Sequence, residues 1–176
     1  MGFHDESGIS ERPVVRTTWA IRGKTPIIES TGSWKSLSMS GTIITIPKGT
    51  TSKLFLAIFH GSMKGKDFVQ YLKQLKRHLN GKKLLLIWDG LPAHRSRIVT
   101  DYTDTQRKWL KIERLPGYAP ELNPIEYLWS AMKTKDLSGL PVRGLPKLKS
   151  AIRRSRYRIN GNQQLLRGFL EASTLY

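Results

Sequence analysis

The chain contains no cysteine, which excludes disulfide cross-links and thiolate-bound zinc together. Long apolar runs are missing too: nothing approaches the roughly 18 consecutive apolar residues of a membrane span. The N-terminus lacks the basic-then-apolar layout of a signal peptide, so a cytoplasmic location and no membrane partner are expected. Acidic residues are scarce. Thirteen Asp and Glu stand against 30 Lys and Arg, a net charge of +17 over 176 residues. The four His, at positions 4, 60, 78 and 94, show no spacing that zinc prefers, and no structural metal is read from them.

What is present is a folding sequence. Hydrophobic residues make up 39% and five Trp are among them, enough for one domain with a real core. A compact domain with so large a cationic excess repels itself unless a polyanion is near, and nucleic acid is the usual one. An RNA binder and an anionic-membrane binder share that expectation. Charge names the class of partner, not the activity.

Periodicity organises the chain as mixed α/β. "GFHDESGI" reads as a short strand, and "VVRTTWAIRGKTPII" as a hairpin with a basic tip. "SLSMSGTIITI" and "KLFLAIF" are two further strands. In "KGKDFVQYLKQLKRHL" the period changes, with Phe68, Leu72, Leu75 and Leu79 at helical spacing. "LLLIWD" is a continuous apolar run of the kind buried on both faces of a sheet. A mostly helical "LPAHRSRIVTDYTDTQRKWL", a last strand "IERLPGY" and a helix "NPIEYLWSAMKTK" follow. Beyond the link "GLPVRGLP" come basic "KLKSAIRRSRYRI" and amphipathic "QQLLRGFLEA".

Three of the few acids sit where chemistry gathers. Asp5 lies on the first strand, Asp89 leaves the sheet at the carboxyl end of the buried strand, and Glu126 stands just inside a helix start. Each has a plain structural reading. Asp89-Gly90 can be a turn; Asn123, Pro124 and Glu126 can be N-cap, first helical residue and capping-box acid. Together, carboxylates converging in a basic protein suit Mg²⁺, a hard cation with oxygen ligands, and two such ions can drive phosphodiester chemistry.

"FHDESG", "LLLIWDGLPAHRS" and "LPGYAPELNPIEYLWSAMK" resemble the three signature blocks of the DDE transposase catalytic domain of the mariner-like superfamily, in its bacterial insertion-sequence branch. The resemblance spans residues 3 to about 135. It implies a ribonuclease H-like mixed sheet flanked by helices over 1–135, with 136–176 a basic helical extension packed on the same domain. It implies Asp5, Asp89 and Glu126 as catalytic and metal-binding residues, with Glu6 the rival of Asp5. Neighbours on a strand point to opposite faces, so only one of those two faces the site.

The implied cofactor is a pair of Mg²⁺ ions, with Mn²⁺ able to substitute, and the implied activity is cleavage and strand transfer at transposon ends. DNA is the implied partner, bound through Arg22, Lys24, His94, Arg95, Asn123 and Lys133. For His94 and Asn123 a local role at a helix start competes with that reading. A homodimer on DNA in a bacterial nucleoid is expected. Family members carry a helix-turn-helix domain before the first acid, and its absence from these residues leads to the expectation of a separate polypeptide from a split element. The competing expectations are an inactive basic nucleic-acid-binding module or transposase relic, and a junction-cleaving nuclease of the same fold.

Overall fold

The computed structural model describes residues 1–12, 14, 17, 19–27, 33–46, 51–116, 120–139 and 144–173. Its five strands are β1 (Gly2–Ser10), β2 (Ser36–Thr45), β3 (Ser52–His60), β4 (Leu84–Trp88) and β5 (Leu110–Arg114). Its helices are α1 (Gly65–Leu79), α2 (Arg97–Asp104), α3 (Pro124–Ala131), α4 (Leu145–Asn160) and α5 (Gln163–Ala172). The sheet order is β3-β2-β1-β4-β5. The first three strands are antiparallel, while β4 runs parallel to both β1 and β5. This mixed five-stranded sheet with helices on both faces has the ribonuclease H-like arrangement. No helix among the described residues is long and apolar enough to cross a membrane.

Strand alternation sorts the side chains into two cores. Phe3, Leu37, Met39 and Ile43 face α3, α4 and α5, and pack with Ile125, Leu128, Trp129, Ile152, Leu166 and Leu170. Leu84, Leu86 and Trp88 face the other way, against Phe68, Tyr71, Leu72 and Leu75 of α1. Full burial of each such side chain contributes about 1.5–3 kcal/mol. The side chains of α4 and α5 enter the same core as those of β1 and β2, with α3 lying on β1 and α4 and α5 on β3 of the same sheet face.

The polar alternates of β2 matter as much. Ser40 and Thr42 are buried on the α1 side, where the Thr42 hydroxyl meets Tyr71 Oη at 2.6 Å. Gly41 lies on the opposite face, paired with Asp5 across the ladder. A Cβ there would sit 2.9 Å from Trp129 Cη2 and 3.1 Å from Ile125 Cδ1. The missing side chain is what lets α3 settle onto the middle of the sheet.

The expected basic hairpin differs from its reading. The chain leaves β1 and re-enters β2 with Ser10 opposite Ser36, and the turn at its far end closes through Lys24 N–H to Ile21 O, 2.9 Å. Among the described residues of 11–35 no strand ladder forms between them. Trp19, Ile21 and Ile27 are exposed, while residues 15, 16, 18 and 28 of the expected hairpin lie outside the described residues.

Candidate active site

Asp5 sits on the central strand, its side chain buried on the α3 side of the sheet. The indole N–H of Trp129 donates to Asp5 Oδ2 at 3.0 Å. Trp129 in turn lies against the bare backbone of Gly41, so one glycine positions the donor for one carboxylate. Burial pushes the Asp5 carboxyl up to about 7, and the neighbouring Glu6 and Glu126 carboxylates push the same way. The backbone amide of Glu6 and the Trp129 indole offset only part of this. Among the described residues Asp5 has no Lys or Arg as an ion-pair partner.

Glu126 comes from the first turn of α3 and is exposed. Asn123 caps this helix, its side-chain oxygen accepting from Ile125 N–H at 3.4 Å. The reciprocal capping-box bond from Glu126 is not formed among the described residues. The cap has a second attachment: Asn123 Nδ2 donates to His4 O of β1 at 3.2 Å. The helix start is therefore fastened beside Asp5, and the Glu126 carboxylate is left open to solvent.

Asp89 follows directly after β4. The parallel register pairs Gly2 with Leu86 and Phe3 with Ile87, so Asp89 leaves the sheet from the strand next to the one that carries Asp5. Both protein contacts of the half-buried Asp89 carboxylate fall on Oδ1. His94 Nδ1 lies at 2.8 Å and Leu91 N–H donates at 3.2 Å.

Glu6 points away from this edge. Alternation places it on the α1 face, where Glu6 Oε1 meets His4 Nε2 at 2.8 Å and His94 Nε2 at 3.0 Å. Burial works against the Glu6 anion, but His4 and His94 outweigh it and hold the carboxyl down to about 2. Burial likewise opposes the His94 cation, yet the Asp89 and Glu6 carboxylates raise it to about 9.

The structure thus brings Asp5 and Glu126 to one face, with Asp89 at the adjoining strand end. Arg22, Lys24 and Arg95 are exposed and Lys133 is half-buried. His94 and Asn123, expected against nucleic acid, are buried with their polar groups engaged inside the protein. Sequence reasoning missed the Trp129–Asp5 bond and the His4–Glu6 pair. The latter had a signal: residues two apart on a strand share a face. A buried carboxyl raised by burial and by like charges, without a cationic partner, suits a hard divalent cation.

Residues 1–149 match the family described as DDE superfamily endonuclease. Among solved structures, the chain is similar to the Mos1 mariner paired end complex with Mn, at 18% identity and a TM-score of 0.67, covering 97% of this chain and 52% of that one. It is similar to the corresponding complex with Mg at 16% identity and a TM-score of 0.69, with coverage of 97% and 52%. The catalytic domain of Mos1 mariner transposase alone gives 14% identity and a TM-score of 0.60, covering 99% of this chain and 83% of that one. At such identities the likeness is one of fold. The chain spans about half the length of the Mos1 chains in the paired end complexes. No curated protein matches it.

Proposed function

The chain belongs to the DDE superfamily endonucleases, and on that premise we propose that it is the catalytic domain of a transposase that cleaves and joins DNA at transposon ends. The observation that carries this reading is the edge shared by three acids. Asp5 lies on β1, Asp89 follows directly after the parallel neighbour β4, and Glu126 starts the helix that Trp129 and Asn123 fasten to β1, which supports a shared edge.

Asp5, Asp89 and Glu126 would hold the divalent ions, Mg²⁺ with Mn²⁺ as a substitute. Bound there, two ions would activate a water or a 3′-hydroxyl for attack on phosphorus and stabilise the oxygen that leaves. The protein's own groups prepare that edge. Trp129 holds one oxygen of Asp5, and His94 with the Leu91 amide holds one oxygen of Asp89, so both carboxylates are oriented beforehand. Arg22, Lys24 and Arg95 are exposed cations that would receive the DNA backbone. Recognition of a particular end would come from a helix-turn-helix polypeptide, with a homodimer bridging two ends, as in a bacterial insertion sequence.

Supercoiled plasmid with and without Mg²⁺ tests this directly. Nicking that requires the metal and disappears in Asp89→Ala supports the proposal. Metal-independent nicking, or equal nicking by Asp89→Ala, removes it in favour of a basic DNA-coating module.

A further inference from the structure

On the face of β1 turned away from Asp5, two imidazoles converge on one carboxylate that the proposed reaction does not use. A ring nitrogen of His4, one of His94 and a Glu6 oxygen all lie within 4.8 Å of one another, and the Nε2 atoms of both rings are within 3.0 Å of Glu6 Oε1. The second nitrogen of each ring is already committed. His4 Nδ1 meets Gly41 O at 2.7 Å; His94 Nδ1 meets Asp89 Oδ1 at 2.8 Å and Asp89 O at 3.3 Å. Carbonyl and carboxylate oxygens only accept, so both Nδ1 atoms carry hydrogen. Each Nε2–Glu6 contact is made by an Nε2 proton when the ring is a cation; a metal dication that displaces those protons would be held by the same three atoms.

A second observation comes from the same carboxylate. Glu6 Oε2 is buried and has no hydrogen-bond partner among the described residues. The rings are also locked: His94 stacks on Trp88 at 4.4 Å between centroids and takes the edge of Phe68 at 4.5 Å, while His4 lies 4.7 Å from Tyr71.

We propose that His4, Glu6 and His94 form a binding site for a transition-metal dication of the zinc class, separate from the Asp5–Asp89–Glu126 edge. Two imidazole nitrogens and a carboxylate suit such an ion, whereas Mg²⁺ favours oxygen alone. The committed Nδ1–H groups are the outer contacts that metal-bound histidines usually make, one to a carbonyl and one to a carboxylate. An ion about 2.1 Å from each ligand atom needs the two imidazole nitrogens within about 4.2 Å, and the spacing of at most 4.8 Å is close to that. The Glu6 and Asp89 carboxylates offset its two charges. The ion would tie the middle of β1 to the segment after β4, and through His94 it would fix Asp89 Oδ1. The spacing of the four histidines gives no hint of this; only the β1–β4 pairing joins residues 4 and 94.

The test uses the untagged chain, stripped with chelator, dialysed and titrated with Zn²⁺ against a competing chromophoric chelator. One ion per chain is expected. Binding should persist in the Asp5→Asn/Glu126→Gln double variant, which removes the other site, and in a His60→Ala/His78→Ala variant, which removes the surface imidazoles. Glu6→Gln and His94→Gln should each weaken it about tenfold or more. Should either buried variant fail to fold, X-ray absorption on the wild-type zinc form reads the ligands directly, and two imidazoles are expected. Absence of stoichiometric zinc, loss of zinc in either double variant, or fewer than two imidazoles would overturn the proposal. Because the double variant cannot nick DNA under the reading above, retained zinc there is independent of whether that reading holds.

Discussion

Asp5 shows what burial beside other carboxylates costs a single residue. With its carboxyl raised to about 7, the folded chain keeps a proton that the unfolded chain has lost above pH 4. Metal-free stability should therefore fall as pH rises between about 4 and 7, by up to a few kcal/mol. His94, raised to about 9, acts with the same sign between about pH 6.5 and 9. Glu6, held down to about 2, acts oppositely, adding stability as pH rises from 2 to about 4.5. Thermal midpoints across pH 3 to 9 should peak in mild acid, and Mg²⁺ should flatten the fall below pH 7 by favouring the Asp5 anion. A midpoint that climbs steadily from pH 4 to 8 without metal would contradict this. Asp5→Asn should stabilise the metal-free chain at pH 8 by about 1–3 kcal/mol while abolishing cleavage, a trade measurable by denaturation and nicking together. The three acids stood out in the sequence because acids are few, with Asp5 on a strand, Asp89 at a strand end and Glu126 at a helix start. Trp129 did not, since an indole in an apolar helix stripe reads the same whether or not its N–H has a distant partner.

At the scale of elements, α3 is the piece that makes the edge. Its start was legible in "NPIE", for Asn123 and Pro124 occupy the capping and first helical positions that their chemistry favours. Its seat was not legible, because Asn123 Nδ2 bonds a carbonyl 119 residues earlier and Gly41 clears the space from another strand. Gly41→Val should push Trp129 and Ile125 off the sheet, costing about 1–3 kcal/mol. Cleavage should drop about 10- to 100-fold as Glu126 shifts. Trp129→Phe is the finer probe. It keeps most of the packing but removes the N–H that holds Asp5, so Asp5 should titrate higher and the acid limb of the pH–rate profile should move to higher pH. An unchanged profile would mean that the indole only packs. In the expected hairpin over residues 14–28, part of which lies outside the described residues, Ile21 and Ile27 are exposed, and alternation needs a face to bury.

For the whole molecule, the net charge of +17 was the most legible property and the least specific. It should make DNA binding by this chain strong and steeply salt-dependent, with log K falling by about 0.9 per log salt for each phosphate contacted on duplex DNA. Competition between unrelated duplexes should show little preference; strong selection of one short sequence would contradict phosphate-led binding. The fold class was readable from periodicity, since β4 is a continuous apolar run and α1 a clean amphipathic helix. The meeting of His4, Glu6 and His94 was not, because it depends on which strand lies beside β1. The central claim is that Asp5, Asp89 and Glu126 together hold divalent cations, and the most direct measurement is an anomalous difference map from crystals grown with Mn²⁺. The expected result is two peaks about 4 Å apart, between Asp5 and Asp89 with Glu126 at ligand distance. Density confined to other residues, or a Glu126 carboxylate turned away from an occupied edge, would contradict it.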